Sequence, residues 1–259
     1  MAPHPGTRAL FWLIVLAAIP IAGWYFRDQS TLQVDVPIAE EPVAESAAPP
    51  TDTGPRHPIR LPALESGPDR ESVPLPSLDD SDAYFLLDVA TVFGTDVEVL
   101  LLRDGIIDRL VATVDNLQRS QIPQKIRPVG TLTTTFIDGS ENYQRYNTLV
   151  AHIATADIDA MVDMYRRYYP LFQQSYERLG YPNAYFNDRL VDVIDHLLDT
   201  PELSSMPRLV RPNVLYEYAD PELESLSSGQ KLLLRIGSDH AASIKQVLRQ
   251  LRSLIASAQ

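Results

Sequence analysis

The sequence predicts an all-α fold: a single helical domain behind one N-terminal transmembrane helix and a disordered, proline- and acid-rich linker, with at most one short β element near residues 131–137. Three observations carry that expectation. An uncharged apolar run fills residues 9–26. Thirteen of the 21 prolines precede Ser81. Beyond Leu78 the apolar residues recur every three to four positions, which is the period of an amphipathic helix. The division is then a cytoplasmic tail at 1–8, a signal anchor at 9–26, a linker at 27–76 and a helical extracytoplasmic domain at 77–259.

The anchor reads ALFWLIVLAAIPIAGWYF and lies between Arg8 and Arg27. As a helix it spans roughly 27 Å, close to the hydrocarbon thickness of a bilayer. Trp12, Trp24 and Tyr25 fall near its ends, where amphipathic rings favour the interface. Pro20 is tolerated in a spanning helix. A cleaved signal peptide is the alternative; its apolar core is shorter, and no small-x-small cleavage site follows here. Arg8 against Arg27 leaves the positive-inside count nearly tied, so a short leading tail and a large trailing domain place the bulk of the chain outside the cytoplasm.

Residues 27–76 combine proline, alanine and acids without apolar periodicity. Such a segment buries too little surface to offset its ordering entropy, so it reads as a semi-extended tether.

In the domain, 78–82 (LDDSD) supplies caps and dipole-compatible charge, Asp82 among them, for a helix ending at Gly94. After the Asp104-Gly105 turn, Ile106, Ile107, Leu110, Val111, Val114 and Leu117 define a core-facing helix stopped by Pro123 and Pro128. The β-branched run 131–137 ends at Asp138-Gly139 and reads as the one short strand. A helix through Tyr143, Tyr146, Val150 and Ile153 follows. Across 157–179, Ile158, Met161, Met164, Tyr165, Tyr168, Leu171, Phe172, Tyr176 and Leu179 keep one face in phase through Pro170, so one kinked helix is expected. Residues 185–198 form the next helix, and a proline-punctuated connection leads to short helical pieces at 221–226 and 229–236. Ser238 caps a last helix striped by Ile244, Val247, Leu248, Leu251, Leu254 and Ile255.

Composition excludes several functions. The 259 residues contain no cysteine, so disulfides, thiolate metal sites and a cysteine nucleophile are out. A net charge of −12 speaks against nucleic-acid binding. Phosphate-loop and dinucleotide fingerprints are absent.

Several strings resemble a known family: YRRYYPLF at 165–172, GYP at 180–182, YFNDRL at 185–190 and DHLL at 195–198, with LVATVDN at 110–116, VLYEYAD at 214–220 and SGQKLLLR at 228–235. Together they are similar to the bacterial envelope family known as domain-of-unknown-function family 3014. The resemblance implies a membrane-anchored bacterial protein, with the inner membrane engaged through 9–26 and the bulk of the chain in the periplasm. It supplies no catalytic residues, and neither cofactor nor metal is expected.

The helix at 185–199 is sharply divided. Phe186, Leu190, Val193, Ile194 and Leu197 share one side, while Asp188, Asp192, Asp195 and Asp199 line the other. Like charges one turn apart disfavour a helix, so the stripe suggests a cationic partner. The candidate interaction surface is Tyr181, Tyr185, Asn187, Asp188, Arg189, Asp192, Asp195, His196 and Asp199. Internal pairing of the stripe with Lys245, Arg249 and Arg252 is the competing explanation, and a solvated face or a divalent-ion site are others. Eight of the 12 tyrosines fall between Tyr143 and Tyr185 among several arginines, which admits a glycan-stacking platform. Glu177 is a candidate acid for a wall-degrading enzyme, though without an assignable partner carboxylate. The expected role is an interaction or scaffold module binding an envelope protein or peptidoglycan. A cell-wall-active enzyme or glycan-binding module is the alternative.

Overall fold

The structure is a computed structural model and describes residues 54–60, 74–94, 98, 100–129, 140–155, 157–212 and 216–256. The expected anchor at 9–26, the expected β element at 131–137 and most of the expected linker lie outside the described residues. Among the described residues, no helix is long and apolar enough to cross a membrane.

The described chain is mostly helical. In order, the α-helices are α1 (Asp82–Phe93), α2 (Ile106–Asn116), α3 (Asn147–Ala154), α4 (Ile158–Arg178), α5 (Phe186–Leu198), α6 (Pro221–Glu224), α7 (Ser228–Arg235) and α8 (Ser238–Ile255). Short 3₁₀ turns occupy Leu78–Asp80, Gln124–Ile126 and Ser140–Tyr146.

Helix α2 begins with help from a distant residue. Gly105 takes the left-handed conformation at φ 61°, which a residue without Cβ adopts freely. Asp82 then accepts the N–H groups of Gly105 at 2.7 Å and Ile106 at 2.9 Å. The sequence offers Asp82 as a cap for its own helix; it caps the next one instead. The position before it is already spent, because the Ser81 hydroxyl donates to the carbonyl of Leu78 at 2.7 Å.

Helix α4 is one helix of 21 residues with Pro170 inside it. Asp157 caps it by accepting the N–H groups of Asp159 and Ala160. Its buried face from Met161 to Tyr176 meets Phe85 of α1 and Phe186 of α5: Phe85 stands edge-on to Tyr168 at 5.0 Å, and Phe172 stacks on Phe186 at 5.7 Å. Leu179, expected on this face, is 44% exposed. The helix has already ended there, and Gly180 at φ 108° turns the chain away.

Helix α8 packs across α5, α3, α4 and α7, and α2 packs against α4 and α5. Ile244, Val247, Leu248, Leu251 and Ile255 of α8 are buried in the resulting core. Ser238 is the first helical residue rather than a cap; Gly237 at φ 93° precedes it, and no side chain caps α8. The closest approach involves α7. A Cβ at Gly229 would lie 2.6 Å from Leu197 Cδ2 and 3.0 Å from the carbonyl of Leu117.

The sheet among the described residues is a two-stranded antiparallel ribbon, β1 (Leu209–Val210) with β2 (Glu217–Tyr218). Leu209 pairs with Tyr218 and Val210 with Glu217. It lies in the stretch read as a plain connection, since two residues per strand are too few for alternation to register.

Candidate functional site

The acidic stripe of α5 divides into three environments. At its carboxyl-terminal end Asp199 is exposed. In the middle, Asp195 forms a fork with Arg252 of α8: Arg252 Nε donates to one oxygen, and Nη2 to the other at 2.8 Å. This is one of the three internal pairings that the sequence offers. Arg249 is exposed, and Lys245 points elsewhere. Its ammonium, 4% exposed, donates to the carbonyl of Thr200 at 2.6 Å and lies 3.6 Å from Glu202. That lysine borders a cleft of about 440 Å³ walled by Tyr143, residues 200–207 and the first turns of α8.

At the amino-terminal end of α5 the stripe meets residues 54–60, a stretch inside the expected linker that instead lies against the helical domain. Exposure alternates along this strap: Pro55, His57 and Ile59 are half-buried, and Gly54, Arg56, Pro58 and Arg60 are exposed. Ile59 packs on the hydrophobic core. The chain bends at Arg56 and His57, which turns their successive N–H groups to one side. Asp188 accepts two successive main-chain N–H groups, from Arg56 at 2.9 Å and His57 at 2.7 Å. Asn187 donates through Nδ2 to the carbonyl of His57 at 2.7 Å and to that of Ile255 at 3.0 Å. Its Oδ1 accepts from the Tyr165 hydroxyl at 3.0 Å, which orients an amide that is fully buried. Arg56 Nη2 donates to Asp192 at 2.6 Å, and this bond raises the guanidinium pKa above its ordinary value. His57 Nδ1 is 3.3 Å from the carbonyl of Ala256, just past α8.

Arg189 and Tyr181 serve the joint between α5 and α2. Arg189 donates to the Asp115 carboxylate at 2.8 Å, to the Asp115 carbonyl at 2.5 Å and to Gln118 at 2.7 Å. Tyr181 stacks on Tyr176 at 4.6 Å and aims its hydroxyl at Asp115. Tyr185 is half-buried just before α5. His196 Nε2 is 2.8 Å from the hydroxyl of Ser227, the N-cap of α7, and burial lowers its pKa against the opposing pull of Asp199.

Half of the tyrosine cluster is core, Tyr146 included. Tyr165, Tyr168 and Tyr176 are buried, and Glu177 bonds to Gln173 at 2.9 Å. Among the described residues, no group of three or more His, Asp or Glu converges to hold a metal ion. Arg56 and His57 are the functional residues that sequence reasoning missed. The available signal is the isoleucine in GPRHPIR, an apolar side chain in a polar, proline-rich stretch.

A family model described as "Protein of unknown function (DUF3014)" matches residues 106–252, more than half of the chain, and covers α2 through most of α8. No curated protein and no solved structure matches.

Proposed function

The chain belongs to the DUF3014 family, and we propose that within it this protein is a membrane-tethered interaction module of the bacterial envelope rather than an enzyme. The observation that supports this reading is the seat on α5, where Asn187 and Asp188 hold main-chain groups of a non-helical segment 130 to 132 residues away in the chain. Main-chain contacts of this kind are among those that peptide-recognition sites use. Residues 9–26 anchor the chain in the inner membrane, the domain works in the periplasm, and its partner is an envelope protein. The glycan-platform reading is weaker, because Tyr165, Tyr168 and Tyr176 give their faces to the core.

Two measurements test the proposal. A phosphatase reporter fused after Gln259 is active, since that enzyme needs the oxidising exterior; activity of a cytoplasm-dependent reporter alone reverses the topology. A photoreactive side chain at exposed Asp199 captures an envelope protein in living cells, and the captured species is identified by mass spectrometry. Recovery of wall fragments only would favour the glycan-binding alternative.

A further inference from the structure

Resting on the interaction reading above, we propose that the seat formed by Asn187, Asp188 and Asp192 is a recognition site for an arginine-bearing peptide that bends at the residues it docks. Residues 54–60 are its occupant in cis, and a partner segment of the same chemistry displaces them.

The seat reads main-chain atoms first. Two successive N–H groups enter the carboxylate of Asp188, and the second residue's carbonyl accepts from Asn187. None of these bonds depends on the identity of the bound side chains, so any segment that makes the same bend and has free N–H groups at those two places satisfies them. The strap's prolines obey that rule. Pro55 and Pro58 flank the donating pair and occupy positions where no N–H is used. They also fix φ at their own positions, which lowers the entropy lost on docking.

Selectivity comes from one charge and one apolar contact. Arg56 sits over two carboxylates, 2.6 Å from Asp192 and 3.9 Å from Asp188, and Ile59 reaches the core. Neither locks the strap in place. The Arg56 side chain is 60% exposed and that of Asp192 is 41% exposed, so their ion pair is solvated and weakly stabilising. The strap is thus held by exchangeable contacts, whereas Asn187, buried and braced by Tyr165, keeps its orientation for the next occupant. A cis occupant competes through its high effective concentration, so an incoming peptide succeeds where the strap is weakened or released.

The test uses the full-length chain and the fluorescently labelled heptapeptide Gly-Pro-Arg-His-Pro-Ile-Arg, read by polarisation. The chain carrying Arg56→Ala and Ile59→Ala binds the peptide at least tenfold more tightly than the unsubstituted chain. Adding Asp188→Asn abolishes that binding while the helical spectrum is kept. Introducing Asp192→Arg into the strap-weakened chain weakens binding about three- to fivefold, and the same peptide with glutamate in place of its first arginine restores it. The proposal is overturned if the strap-weakened chain binds no more tightly although hydrogen exchange shows the amide of residue 57 released. It is equally overturned if the charge-reversed pair fails to recover. A protein crosslinked at Asp199 alongside a failed peptide titration removes this site and leaves the interaction reading standing. Peptide binding as stated, with wall fragments alone at Asp199, does the reverse.

Discussion

Asn187 gives its two amide hydrogens to the carbonyls of His57 and Ile255, so one buried side chain joins the strap to the end of α8. Asn187→Ala leaves both carbonyls and the Tyr165 hydroxyl short of a partner. The expected loss is about 2–4 kcal/mol, because unsatisfied buried polar groups forfeit their hydration without recompense. Urea denaturation of the full chain measures it, and an undiminished midpoint would show that water replaces the amide.

Arg189 and Asp115 form the least exposed ion pair between α5 and α2, with side chains 22% and 7% exposed. Arg189→Ala leaves the carboxylate with the Tyr181 hydroxyl at 3.4 Å and the exposed Arg119 at 3.6 Å. A loss of about 2–3 kcal/mol is expected. Asp115→Asn in the same chain recovers part of it, since no buried charge then lacks its partner. Additive losses from the two substitutions would contradict the coupling.

Gly229→Ala drives a methyl group to within 2.6 Å of Leu197 Cδ2 and 3.0 Å of a backbone oxygen. The cost is about 1–3 kcal/mol, typical of overpacking. In a Leu197→Ala background the penalty shrinks, which thermal melts of the four chains resolve.

Burial pushes the phenols of Tyr169, Tyr176 and Tyr218 up to about 12. An unfolded tyrosine titrates near 10. Each raised value therefore contributes stability that is intact below about pH 10 and is lost as pH rises toward about 12. Melting temperatures should fall across that window, in step with phenolate absorbance. A flat melting profile would mean that these rings ionise in place.

His196 works in the opposite range, since burial lowers its pKa. Its contribution is present above the unfolded histidine value of about 6.5 and declines as pH falls below it, because the unfolded chain binds the proton more readily. Stability measured from pH 7.5 down to 5.5 should drop more steeply in the parent chain than in His196→Asn. Equal slopes would assign the acid sensitivity elsewhere.

The long periodic stretches made much of the fold legible. Helix α4 stayed in phase through Pro170 because its apolar face is set by residues three and four apart, which a single missing N–H does not displace. The division of α5 was equally readable, and Asp195 does meet Arg252 as one of the pairings it suggested. What could not be read was long-range. Nothing local in Asp82 says that its carboxylate closes the next helix, 23 and 24 positions along the chain. The strap escaped for a related reason: its contacts with Asp188 lie 131 and 132 residues away, and its proline content matches that of an unstructured tether. Asn187 was included for its place on the helix, yet its burial and triple bonding emerge only from the packing of α4, α5 and α8 around it.

The position of α8 has a consequence for synthesis. This helix covers α3, α4, α5 and α7 at once, so the inner faces of four earlier helices have no lid until residues 238–255 have been made. Ribosomes add about 5–20 residues per second, so the sides of α4 and α5 that meet α8 wait several seconds uncovered. Folding of this domain is in that sense a terminal event, and the growing chain must be shielded from its neighbours until the last helix arrives.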